Sequence, residues 1–186
     1  FGMTGKLKYF KDIEDEPSHS RILITFNNGF HLSFDNQRKL GKVDLTKTVK
    51  DFVKEKNLGP DALEIDFNTF KKLVKKRRGT TKYTLMNQHI IAGVGNIYSD
   101  EILFQAGIKP TTKINQLTEG TLKKLFEEMK NVLNIAIDSK ADPERFPEDY
   151  LIPHRTKGDQ CPKGNNRLKK IKVSGRTTYY CPKHQK

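Results

Sequence analysis

No stretch of this 186-residue chain approaches the run of ~20 apolar residues that a membrane-spanning helix needs, and no signal-peptide pattern is visible in it. Cysteine is scarce. Cys161 and Cys181 are the only two, and in a cytoplasmic setting, the expected location, they favour a metal site or free thiols over a disulfide. Acidic residues are outnumbered, 22 Asp and Glu against 35 Lys and Arg, which leaves a net charge of +13. That balance favours a phosphate-rich partner through counterion release and makes an anionic membrane surface the weaker candidate. A soluble thermostable or ribosome-associated protein is the blander alternative. Strands are also few, too few to close a sandwich or barrel. Phe1 opens directly in strand-like sequence with no initiator Met, so the expectation is a fragment whose preceding strands are missing.

What is present divides into three parts. Residues 1–44 have β character. Ile22–Phe26 and Phe30–Phe34 flank Asn27-Asn28-Gly29, and Asn-Gly is the pair that a tight hairpin turn prefers. Phe30, Leu32 and Phe34 alternate with polar residues and predict one buried face. From Asp44 the apolar period becomes helical, with Leu45, Val49, Phe52 and Val53 in one stripe. Leu58-Gly59-Pro60-Asp61 reads as a stop and restart. Asp66 or Asn68 is placed to cap a helix that turns Phe67, Phe70, Leu73 and Val74 inward and ends in Lys75-Lys76-Arg77-Arg78. A long core helix follows over about Thr118–Ser139. The division is therefore 1–44, 45–153 and 154–186.

Within residues 85–108, two short apolar-periodic segments flank a turn with glycines at 93 and 95. Asn96 is a favoured N-cap residue there, and a helix start with glycine-bared amides suits a phosphate. In the last part, Leu168–Val173 and Arg176–Tyr180 pair as a hairpin around Ser174-Gly175, bracketed by the cysteines. A module of about thirty residues needs a metal or a neighbouring domain to hold it. Cys161 and Cys181 occupy two positions of a C-x2-C-x16-C-x2-C framework. His184 stands at a third, but Gly164 offers no ligand atom. Zinc on an incomplete ligand set, with a water or His154 as fourth donor, and a zincless hairpin held by packing both remain open.

Several motifs in this order resemble the formamidopyrimidine-DNA glycosylase and endonuclease VIII family of base-excision repair enzymes. They are Phe1-Gly2-Met3-Thr4-Gly5, Leu58–Asp61, Lys82 with Leu85-Met86-Asn87-Gln88, Ala92–Tyr98, Glu101, Gly107–Pro110 and Gly175–Cys181. The resemblance implies an α+β chain: part of an N-terminal β-sandwich, a helix-two-turn-helix domain, and a C-terminal zinc or zincless finger. It implies that Lys82, Asn96, Arg176 and His19 bind phosphates flanking a lesion, which positions a duplex without reading its sequence. It also implies that Met3, Arg38 and Leu40 fill the void left by an extruded base, with Leu40 in place of the usual Phe.

The activity implied is removal of oxidised bases with nicking of abasic sites, on double-stranded DNA and by a monomer. In the family the nucleophile is an N-terminal proline, supported by a following Glu and a Lys. No residue of this chain matches them, so no catalytic residue is assigned, and binding of damaged DNA without excision is expected. The alternatives are a non-catalytic module for damaged DNA, or an RNA-binding protein, since a ribosomal protein has a similar Gly-x-Gly turn.

Overall fold

The structure, a computed structural model, describes residues 1–2, 5–155 and 158–186. The chain divides into two compact units, Phe1–Val49 and Lys50–Lys186. The hairpin segment that the sequence sets apart shares the second unit with the helices.

The first unit is a three-stranded antiparallel sheet of β1 (Lys6–Phe10), β2 (Ser20–Thr25) and β3 (His31–Asp35), in the order β1-β3-β2. The expected hairpin is present as β2 and β3. Gly29 takes a φ of +79° in the turn, where a side chain would be strained. Burial does not follow the expected alternation. Phe34 is buried, but so is Ser33 on the opposite face, where its hydroxyl donates to Ser20 Oγ at 2.9 Å. Leu7, Tyr9, Ile22 and Ile24 share the Phe34 face by their strand pairing and are exposed.

The second unit is helical, and its first helix, α1 (Val49–Glu55), begins at the residue just before the division. The helix expected from Asp44 starts only at Val49: Val49, Phe52 and Val53 of the expected stripe lie in α1, which buries no residue, while Leu45 is solvent-exposed outside it. In α2 (Phe67–Val74), Asp66 rather than Asn68 is the cap, its carboxylate accepting from Thr69 N at 2.9 Å; Phe70 and Val74 are fully buried. Next come α3 (Thr81–Met86), α4 (Asn96–Ala106) and α5 (Glu119–Asp138). The expected long helix is α5, capped by Thr118 and buried along Leu122, Leu125, Met129, Val132, Leu133 and Ala136. It packs on α4, which is buried at every residue from Ser99 to Ala106. The chain ends in an antiparallel hairpin, β4 (Lys169–Val173) with β5 (Arg176–Tyr180), and β5 packs on α4.

Candidate nucleic-acid interface

The turn between α3 and α4 is stapled by one side chain. Gln88 Nε2 donates to the Val94 carbonyl at 2.9 Å, and Gln88 Oε1 accepts from Gly93 N at 3.0 Å. Outside the turn, segment 59–62 runs alongside as a short backbone pairing. Gly59 N donates to Gln88 O, Ala92 N to Pro60 O, and Ala62 N to Ala92 O. A Cβ on Gly59 would stand 2.4 Å from the Ile90 oxygen, so this approach requires glycine. Segment 58–61 reads in the sequence as a helix stop and restart and as part of the family motif set. It is a brace for the turn.

Helix α4 starts one residue earlier than expected. Gly95 is the N-cap, and no side chain caps the helix. Asn96 is therefore not the cap, and its side chain does not reach back to a helix amide. The first helical bond runs from Ser99 N to Gly95 O, so the amides of Asn96, Ile97 and Tyr98 lack intrahelical acceptors and carry the positive end of the helix dipole. Gly95 is exposed, and a Cβ built on it meets nothing within 4 Å. Among the described residues, no side chain therefore covers the helix start at Gly95.

Behind this opening is a buried polar cluster. Lys82 is 0% exposed, and its ammonium donates to Asp100 Oδ1 at 2.5 Å, to Thr178 Oγ1 at 2.7 Å and to the Thr177 carbonyl at 3.3 Å. Asp100 Oδ2 accepts from Arg155 Nη2 at 2.7 Å and from Tyr179 N at 3.1 Å. Burial pushes the Lys82 pKa down, and the Asp100 carboxylate opposes that shift. Asn96 Nδ2 donates to the same Thr177 carbonyl at 3.2 Å. The next residue after Asp100, Glu101, is also fully buried; its two oxygens accept from Leu151 N at 3.0 Å and Ile152 N at 2.7 Å. Burial raises the Glu101 pKa against the pull of those hydrogen bonds.

The hairpin groups held by this cluster, on Thr177, Thr178 and Tyr179, are the three residues that follow Arg176, which is exposed at the start of β5. Ser174 and Gly175 make the preceding turn with φ of +48° and +76°, the pair of left-handed residues that a two-residue hairpin loop requires. The tip and the start of α4 are thus joined through Thr177.

The finger lacks a metal-ligand set. Among the described residues, no group of three or more His, Cys, Asp or Glu is arranged to hold an ion. Cys161 and Cys181 are buried free thiols in a small apolar cluster with Phe104, Leu151 and Leu168. His184 turns Nε2 to the Phe104 carbonyl at 2.7 Å and its ring against the Phe104 ring, while Gly164 has no donor to offer. His154 Nε2 lies 3.0 Å from the Glu148 carbonyl. These residues do not fit zinc. Gln185 completes the packing, accepting from Cys181 N and donating to Ile108 O, both at 2.9 Å.

Of the residues expected to touch DNA, Lys82, Asn96 and Arg176 are brought together in the second unit. His19, Arg38 and Leu40 belong to the first. There, His19 O accepts from Asn36 N at 3.0 Å, so His19 and the turn carrying Arg38 lie at one end of the sheet. Arg38 and Leu40 are exposed. Met3 lies outside the described residues. The sequence motifs include Gln88 and Glu101 but give no site role to them or to Asp100, although two adjacent acids in the apolar run from Ile97 to Phe104 are a visible signal.

Comparison with known proteins agrees with this architecture. Residues 58–147 match the family model described as the formamidopyrimidine-DNA glycosylase H2TH domain. The formamidopyrimidine-DNA glycosylase of Streptococcus pyogenes serotype M6 is 31% identical over 198 residues, covering 99% of this chain and 72% of that protein. That of Nitratidesulfovibrio vulgaris is 32% identical, with 99% and 54% covered. Among solved structures, Lactococcus lactis Fpg in complex with abasic-site DNA matches with a TM-score of 0.82 at 27% identity, over 99% of this chain and 72% of that one. MutM in complex with DNA containing carbocyclic 8-oxo-G matches with a TM-score of 0.83 at 28% identity and the same coverage. The chain belongs to the formamidopyrimidine-DNA glycosylase family.

Proposed function

We propose that this chain grips double-stranded DNA at an oxidised base or abasic site, with the open amides of α4 and the Arg176 guanidinium on phosphates flanking the lesion. The observation that carries this reading is the shared Thr177 carbonyl, which ties the hairpin tip to an uncapped helix start. A helix N-terminus and an arginine fork are both suited to phosphate oxygens, the first through its dipole and bare amides, the second by bidentate geometry. His19 adds a further phosphate contact from the first unit, and Met3, Arg38 and Leu40 fill the space of the extruded base. The finger works without metal, and the protein acts as a monomer wherever the DNA is.

Excision is a separate matter. In this reading the 186 residues hold DNA and do not break the glycosidic bond. A Schiff-base mechanism needs an accessible unprotonated amine. Lys82, the lysine with a lowered pKa, has its nitrogen committed to Asp100 and β5. Borohydride trapping on an abasic duplex tests this directly. Binding without a covalent adduct is expected, and an adduct formed by the 186-residue chain would overturn the claim.

A further inference from the structure

We propose that Lys82 and Asp100 are positioning residues for Arg176, and that their buried pair, rather than a contact between Lys82 and DNA, is what Lys82 contributes to binding. The inference rests on Arg176 meeting a phosphate, as argued above.

An ammonium has three donors. Those of Lys82 are matched by three acceptors inside the protein, Asp100 Oδ1, Thr178 Oγ1 and Thr177 O, and the side chain has no exposed surface. A phosphate could reach this nitrogen only by displacing one of them. The pair instead holds the hairpin at three successive residues. Lys82 takes Thr177 and Thr178, while Asp100 takes the amide of Tyr179. From Thr178 the connection continues to the arginine, because Thr178 Oγ1 donates to the Arg176 carbonyl at 3.2 Å. Each link is a directional hydrogen bond, and the first is between charged partners in a site without water-exposed surface, where such bonds are strongest.

The other half of Asp100 points the same way. Its second oxygen takes Arg155, whose guanidinium lies 5.3 Å from the Tyr179 ring centroid. Asp100 thus receives two cations and one β5 amide at the point where α4 meets the hairpin. Loss of the charge at 100 would loosen β5 on α4 and let the Arg176 tip wander from the helix start.

The test is a double-mutant cycle read through salt. Affinity for a duplex containing a tetrahydrofuran abasic analogue is measured over a salt series for Asp100→Asn, Lys82→Met and Arg176→Ala, alone and combined. Arg176→Ala should lower the slope of log K against log salt by about one, the signature of one lost phosphate contact. Asp100→Asn and Lys82→Met should reproduce that loss. In the Arg176→Ala background each should change affinity by less than about twofold, since a positioning residue has nothing left to position. If Lys82→Met removes a further unit of slope in that background, Lys82 meets a phosphate itself and the proposal fails. An undiminished loss of affinity at constant slope in both backgrounds would mark a general structural role and also overturn it.

Amide exchange of Thr177–Tyr180 in the free protein separates the two layers. Faster exchange in Asp100→Asn is expected whatever Arg176 touches; unchanged exchange sinks the positioning claim even if Lys82→Met fails to fold. An Arg176→Ala slope equal to wild type would instead refute the phosphate reading of Arg176.

Discussion

Lys82 and Asn96 end on the same atom: the Thr177 carbonyl oxygen accepts from Lys82 Nζ at 3.3 Å and from Asn96 Nδ2 at 3.2 Å. They approach it from two helices, α3 and α4, and the carbonyl belongs to a hairpin 95 and 81 residues further along the chain. Two side chains expected to meet phosphate thus also join α3 and α4 to the hairpin. Gly95, at the α4 start, and Arg176 are exposed beside that junction.

The two glycines of the turn should separate folding from binding. Gly93 has a φ of +99°, so Gly93→Ala should cost about 1–3 kcal/mol through backbone strain alone. The corresponding fall in Tm is about 2–4 °C per kcal/mol. Gly95 has an ordinary φ of −99° and open space at its Cβ position. Gly95→Ala should therefore leave Tm within a few degrees while its methyl crowds the anion site. Calorimetry and a binding titration on the pair check this; a Gly95→Ala protein that binds DNA as tightly as wild type would show that the amides are not used.

An alkaline limb of instability follows from two buried acids. Burial and the neighbouring Cys181 raise the Cys161 thiol from 9.0 to about 11, and burial with the charges of Glu101, Glu128 and Asp149 raises Tyr150 from 10.0 to about 12. In each case the folded chain keeps a proton that the unfolded chain releases. Stability from these groups is therefore intact below about pH 9 and is lost progressively as pH climbs toward the raised values. Tyr150→Phe should flatten the upper part of that limb in a Tm–pH series. An identical limb in wild type and variant would contradict the assignment.

Chelation should do nothing to the finger. Its cysteines are packed against Phe104, Leu151 and Leu168, and His184 is turned to a carbonyl. Purified protein should contain zinc far below one equivalent per chain, and EDTA should leave Tm unchanged. A structural zinc site would instead contribute folding energy that a chelator removes.

The elements that were legible in the sequence owe their form to local signals. Helix α5 was readable from end to end because its apolar residues recur at helical spacing over five turns and Thr118 caps it. The β4–β5 hairpin was readable from Ser174-Gly175, whose backbone the turn dictates. The site was legible in its residues more than in its geometry. A lysine in a basic chain suggests solvent, and nothing near Lys82 in sequence shows that its partners lie 18 and 96 residues away. Likewise Asn96 looked like a cap because asparagine often is one. Gly95 takes that position because its extended backbone fits it, and Asn96, one residue inside the helix, donates its side-chain amide to the Thr177 carbonyl. Around Leu45 the spacing is helical, but Leu45 is fully exposed and the helix begins only at Val49.

The account stands or falls on whether this chain selects lesion DNA and does so through the α4–hairpin clamp. The most direct measurement is the equilibrium affinity of the 186-residue protein for a tetrahydrofuran-containing duplex and for the same duplex undamaged, each over a salt series. Tighter binding to the lesion duplex, with a salt slope that falls by about one in Arg176→Ala, is the predicted result. Equal affinity for both duplexes, or a slope indifferent to Arg176, would contradict it.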